Sequence, residues 1–189
     1  MDLQEWTKIF QDTIEENEIE DVWSIEFDDS IVPNHPQGGW QQYISGAFAR
    51  FMCSKCKRTW PSKRVLVVFH MRRLPNESRG SVKVRRYRQE CKRCVERKME
   101  EPRFKAENIE VLLEKLVEKI LVKCYDKDPG EKNSSFQPDG RVEGPHEAAH
   151  CEACKQGICR QVATTKITQR VNEFMSLLHL NGLIPNQDH

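Results

Sequence analysis

Phe51-Met52-Cys53-Ser54-Lys55-Cys56 and Tyr87-Arg88-Gln89-Glu90-Cys91-Lys92-Arg93-Cys94 decide how this chain folds. Each stretch ends in a C-x-x-C pair. Two residues between cysteines let a tight turn aim both sulfurs at one point, about 2.3 Å from a tetrahedral zinc ion. A third pair lies inside His146-x4-Cys151-x2-Cys154-x4-Cys159, which supplies four soft or borderline ligands within fourteen residues. Of eight cysteines only Cys124 stands outside these groups, so the pattern has one economical cause, metal ligation. Two complete sets follow from the spacing: Cys53, Cys56, Cys91 and Cys94, then His146, Cys151, Cys154 and Cys159. His150 competes with His146, but it adjoins Cys151, and adjacent residues rarely reach one tetrahedral ion without strain. Four-ligand sets leave no position for water or substrate, which marks two structural zinc ions rather than catalytic ones.

Working outward from the knuckles, the expected fold class is α+β, a zinc-stabilised β-ribbon or small antiparallel sheet packed with amphipathic helices. Trp40 to Met52 enters the first knuckle with strand-like content, and Val65 to Met71 is a β-branched-rich run of strand length. Asn76 to Gly80 reads as a turn, and Val82 to Gln89 alternates Val82 and Val84 with Lys83 and Arg85 before reaching Cys91. Strand, knuckle, strand, turn, strand, knuckle is the layout of a zinc ribbon. The 34 residues between Cys56 and Cys91 suit two long strands and their turn.

On the N-terminal side, residues 1–30 predict an acidic helix and a strand packed on the core. Trp6, Ile9 or Phe10, Thr13 and Ile14 make one apolar helix face, and Trp23, Ile25 and Phe27 alternate with Val22, Ser24 and Glu26. Residues 31–159 form the three-CxxC zinc-binding domain. Within it Ala106 to Tyr125 is the clearest helix, on Ile109, Leu112, Leu113, Leu116 and Ile120. Cys124 continues that stripe and reads as a structural thiol. Residues 126–144, with Pro129-Gly130 and Pro138-Asp139-Gly140, predict a mobile polar loop. Residues 160–189 predict a partly helical C-terminal extension.

Charge and composition exclude several function classes. No basic n-region or apolar h-region opens the chain, and its longest apolar run, Val65 to Phe69, is far below the roughly 20 residues that span a bilayer. A cytoplasmic location is therefore expected, where thiols stay reduced and favour metal over disulfides. A zinc deaminase would need His-x-Glu upstream of Pro-Cys-x-x-Cys; His150, not proline, precedes Cys151, and neither His35-Pro36-Gln37 nor His70-Met71-Arg72 supplies the glutamate. No glycine-rich phosphate loop appears, so no enzyme is expected. The net charge of +1 hides a segregation: eleven acids against Lys8 alone in residues 1–30, and sixteen Lys or Arg against three Glu in residues 55–98. Three readings of the basic block stand. Arg72, Arg73, Lys83, Arg85, Arg86, Arg88, Lys92 and Arg93 follow an RNA backbone, with Tyr87 or Trp60 for stacking, or they neutralise the acidic N-terminal segment of the same chain, or they contact anionic lipid or a receptor's acidic loop.

Beyond the cysteines, Gly39-Trp40-Gln41-Gln42-Tyr43, Ala47 to Cys56, Arg58-Thr59-Trp60 with Ser62, Tyr87 to Cys94, and Gly144-Pro145-His146 leading to Cys151-Glu152-Ala153-Cys154 and Gly157-Ile158-Cys159 resemble the receptor-transporting protein family. The likeness runs from about Trp6 to Cys159 in the family's order. It implies a three-CxxC zinc-binding domain, with its histidine five residues before the first cysteine of the last cluster, at His146 rather than His150. It further implies a non-catalytic accessory protein that helps odorant, taste and other G-protein-coupled receptors reach the cell surface. Such proteins are usually held to the cytosolic face of membranes by a C-terminal transmembrane segment, and no such run lies within these 189 residues. An interferon-induced branch of similar domain implies the alternative, antiviral RNA binding through the basic β-ribbon.

Overall fold

Val65 to Met71 is buried without a break, because it lies in the middle of a sheet covered on both faces. In the computed structural model, which describes residues 2–127 and 147–159, the elements run α1 (Leu3–Glu16), β1 (Val22–Phe27), β2 (Gln41–Met52), β3 (Thr59–Leu74), β4 (Arg79–Arg86), β5 (Gln89–Glu90), β6 (Met99–Glu100), α2 (Ala106–Tyr125) and α3 (Glu152–Lys155). The main sheet has the order β1-β4-β3-β2, and β5 and β6 make a small second sheet.

The ribbon follows the order the spacing predicts. β2 and β3 pair antiparallel on either side of the first knuckle, with a bulge between Ala47 and Ala49, and β3 and β4 pair antiparallel across a 3-10 turn at Pro75–Glu77. One expectation needs correction. The sheet is mixed, not antiparallel, because β1 runs parallel to β4, with Trp23 opposite Gly80 and Ile25 opposite Val82. A side chain on Gly80 would put its Cβ 2.4 Å from Trp23 ring carbons, so glycine is what lets the indole lie flat on the strand.

Alternation along β3 sends its side chains to two cores. Val65, Val67, Phe69 and Met71 join Trp6, Phe10, Trp23 and the α2 stripe Ile109, Leu113, Leu116 and Ile120. Leu66 and Val68 face the other way, with Ile31, Tyr87, Cys151, Ala153 and Ile158. The two helices thus cover one face of the sheet, and the segment carrying the last cysteines covers part of the other. Asp2 caps α1 by accepting the Glu5 N–H at 3.3 Å. Trp6 of α1 is fully buried and meets Phe27 and Phe104 edge-on, with centroids 5.6 and 5.7 Å away. Each such pair stabilises by about 0.5–1.5 kcal/mol beyond the area it buries. Tyr125, at the end of α2, closes the far side. It accepts the Trp23 indole N–H at 3.0 Å and donates to Asp21 at 2.7 Å, while the Arg73 guanidinium lies 3.9 Å over its ring centre. Cys124 packs half-buried against this core. Most of the expected 126–144 loop, and the whole 160–189 extension, lie outside the described residues.

Candidate metal centres

The first centre forms where the ends of β2 and β5 deliver two knuckles to one place. Cys53 Sγ lies 3.7 Å from Cys94 Sγ, and Cys56 Sγ lies 3.8 Å from Cys91 Sγ. All four sulfurs lie within 4.8 Å of one another. A tetrahedral ion with bonds of about 2.3 Å to sulfur needs sulfurs about 3.8 Å apart, so the donor set fits zinc. Local backbone geometry prepares it. The Cys53 N–H donates to the Arg58 carbonyl, the Lys57 N–H to the Cys53 carbonyl, and the Cys56 N–H to Cys53 Sγ at 3.5 Å. Lys57 takes the left-handed φ of +59° that closes the turn.

The thiols themselves divide protons unevenly. Burial works against a Cys91 thiolate, but N–H bonds from Arg93 and Cys94, with the Cys56 and Cys53 thiols, outweigh it and bring its pKa down to about 7. Cys94 is pushed up to about 12, because it shares protons with Cys56 and Cys53 and loses water. A divalent cation removes that competition, since each sulfur then binds as thiolate.

Glu100 supports the first knuckle, and sequence reasoning missed it. Its buried carboxylate accepts the Ser54 N–H and the Ser54 hydroxyl, both at 2.7 Å, which fixes the turn between Cys53 and Cys56. Those Ser54 bonds lower its pKa against the opposing pull of burial. Only its position, nine residues past Cys91, hinted at this.

The second centre gathers Cys151, Cys154 and Cys159 within 4.8 Å. Cys159 is pushed up, first by its bond to Cys151 and then by burial. His150 is not in this cluster; its Nδ1 turns toward Glu90 at 3.8 Å. His146, the expected fourth ligand, lies outside the described residues. Glu152, inside the C-x-x-C, docks this centre on the ribbon. Its carboxylate accepts the Arg85 guanidinium at 2.8 Å and the Arg88 N–H at 2.9 Å, and its own N–H donates to the Arg88 carbonyl at 3.0 Å. Arg85 completes the joint by donating to the Ile31 carbonyl at 2.7 Å and lying 4.6 Å over the Tyr87 ring.

The eight cations proposed for RNA do not form one free face. Six make ion pairs within the chain: Arg73 with Asp21, Lys83 with Asp28 and Glu26, Arg85 with Glu152, Arg86 with Glu101, Arg88 with Asp29 and Glu101, and Lys92 with Glu147. Arg72 and Arg93 are exposed. Tyr87 is 1% exposed and offers no face to a base, while half-buried Trp60 stacks one face on Phe51 and donates its N–H to Gln89.

A mixed sheet clamped by two cysteine-rich centres defines a zinc-binding domain of the CxxC type. The zinc-binding domain of the 3CxxC zinc-ribbon family matches residues 46–157. Receptor-transporting protein 3 of Mus musculus is 38% identical over 163 residues, covering 85% of this chain and 34% of that protein. Receptor-transporting protein 2 of Mus musculus is 34% identical over 87% of this chain and 74% of its own length. Receptor-transporting protein 4 of Homo sapiens is 34% identical over 98% of this chain and 76% of its own. The chain belongs to the receptor-transporting protein family. It spans only about a third of the first of these relatives. No solved structure matches it.

Proposed function

We propose that the chain is a non-catalytic accessory protein that binds newly made G-protein-coupled receptors from the cytosolic side and promotes their delivery to the cell surface. Zinc holds its shape. The observation that carries the reading is likeness over 85–98% of the chain to proteins named for receptor transport. The chemistry of the sites supports it: the four-cysteine set already satisfies a tetrahedral ion and leaves no position for a substrate. His146 completes the second set in the same reading. Among the described residues no helix is long and apolar enough to cross a membrane.

Surface staining of an epitope-tagged odorant or taste receptor tests the proposal, co-expressed with the chain alone or with the chain fused to a membrane anchor. Increased staining at equal total receptor is the expected result. Equal staining with and without both versions overturns it.

A further inference from the structure

The tip of the second knuckle turns an apolar side chain straight into solvent. Val95, next to Cys94, is 98% exposed, against 75% for Val22 and 56% for Val32. Around it Lys92, Arg93, Arg97 and Lys98 are exposed, and so are Lys55 and Lys57 on the facing knuckle. Lys55 pairs with Glu96 and Lys92 with Glu147, which leaves the tip net positive. The two knuckles meet through the Cys53–Cys94 and Cys56–Cys91 sulfur contacts, so valine and cations sit on one small cap.

Two macromolecules suit such a cap, and the valine decides between them. RNA would engage the cations but has no use for an exposed valine, and of the two rings expected to stack on bases Tyr87 is buried and half-buried Trp60 already stacks on Phe51. A bilayer uses both groups: an apolar side chain enters the acyl boundary while cations rest at headgroup depth. A metal-clamped turn is also suited to insertion, because it arrives already ordered and loses little freedom on binding.

We propose that this double-knuckle tip is a peripheral membrane-contact surface, in which Val95 inserts and the surrounding Lys and Arg engage anionic phospholipid headgroups. The contact is to lipid and is independent of receptor binding.

The test is co-sedimentation of the zinc-loaded 189-residue chain with vesicles of phosphatidylcholine alone or with about 30% phosphatidylserine, at low and high salt. Binding to the anionic vesicles is expected, falling as salt rises. Val95→Ser weakens it about fivefold to tenfold, and Val95→Trp strengthens it by a similar factor. Arg93→Glu with Arg97→Glu weakens it about a hundredfold or more. Val95 is 98% exposed, so zinc content and melting temperature of its variants stay as in the parent; Arg97 donates to the Cys94 carbonyl at 3.4 Å, so zinc content is measured on the charge reversal as well. The proposal is overturned if the chain ignores anionic vesicles, if Val95→Ser and Val95→Trp both bind like the parent, or if the double charge reversal leaves binding intact. Binding to single-stranded RNA with no vesicle binding also overturns it. The Val95 pair keeps the test decisive if the charge reversal fails to fold.

Discussion

Arg85→Ala separates a structural cation from a ligand-binding one. The Arg85 side chain is 12% exposed and joins three parts of the molecule: the Ile31 carbonyl at 2.7 Å, the Glu152 carboxylate at 2.8 Å and the Tyr87 ring at 4.6 Å. Removing one partner of a buried ion pair costs about 3–5 kcal/mol, because the other charge is left without compensation. Glu152 is 17% exposed and keeps its bond from the Arg88 N–H, so the lower end, about 3 kcal/mol, applies. That lowers the melting temperature by about 10 °C. The loss is not spread evenly. The Cys151–Cys154–Cys159 centre should release zinc to a chromogenic chelator faster, while the four-cysteine centre keeps its parental rate. Glu152→Ala should behave alike, and the double variant should cost about 1–3 kcal/mol less than the sum of the two. A ligand-binding role predicts the opposite: an unchanged melting temperature and a shallower salt dependence of RNA affinity. A shift below about 2 °C, with both zinc phases at parental rates, refutes the structural assignment.

His146→Ala should lower the zinc-to-protein ratio of purified chain from two to one by elemental analysis, whereas a retained ratio of two removes His146 from the ligand set. Gly80→Ala should destabilise by about 1–3 kcal/mol in a denaturant melt with Trp23 fluorescence shifted, and most of that cost should vanish in a Trp23→Ala background. In zinc-loaded protein Cys124 is the one thiol outside the two centres, and burial raises its pKa to about 11. Its alkylation rate should therefore climb with pH well past 9 and level off near 11. Tyr125 is raised to about 12 by burial and by Asp21. Raised acids stabilise fully below their unfolded pKa, so folding stability should decline from about pH 9 to 12, and a flat alkaline profile contradicts both assignments.

The zinc ribbon was legible because its information is local. Two residues between cysteines fix a turn, and Cys53, Cys56, Cys91 and Cys94 need only that turn and their tetrahedral demand to find each other. The α2 stripe was legible for the same reason, and the helix begins and ends at Ala106 and Tyr125 as expected. Strand β3 was read too short. Its first residues, Thr59 to Arg64, are mostly exposed and include Pro61 and the charged Lys63 and Arg64, so they lack the apolar pattern that marked Val65 onward. Glu100 and Glu152 escaped because a carboxylate that binds backbone N–H groups looks like any other of the 29 acids until the turn it caps is in place. The direction of β1 escaped as well. Alternation of Trp23 and Ile25 with Ser24 and Glu26 assigns a face, but it carries no information about the strand's neighbour or polarity.

What does fix β1 is a combination of shape and charge. A parallel edge strand has no hairpin to set its register, and a one-residue slip would turn Trp23 and Ile25 out of the core. Gly80 is the position on β4 where the indole of Trp23 finds no Cβ beneath it, since an added Cβ would lie 2.4 Å from its ring. The same register sets Glu26 opposite Lys83 and carries Asp28 to within 2.8 Å of the Lys83 ammonium. Lys83, with Ser30, holds the Asp28 carboxyl down at about 2, so this pair persists until strongly acidic pH and fails as pH falls from about 4 to 2. Further along, Asp29 meets Arg88, and at the other end Asp21 meets Arg73. Partly exposed pairs like these contribute about 1 kcal/mol or less each, too little to account for the fold's stability. Three of them, in line with the glycine beneath Trp23, favour this register over slipped ones. The opposed charge blocks of the sequence therefore meet in part within the molecule, at Asp21, Glu26, Asp28 and Asp29 against Arg73, Lys83 and Arg88, and these contacts help to align β1.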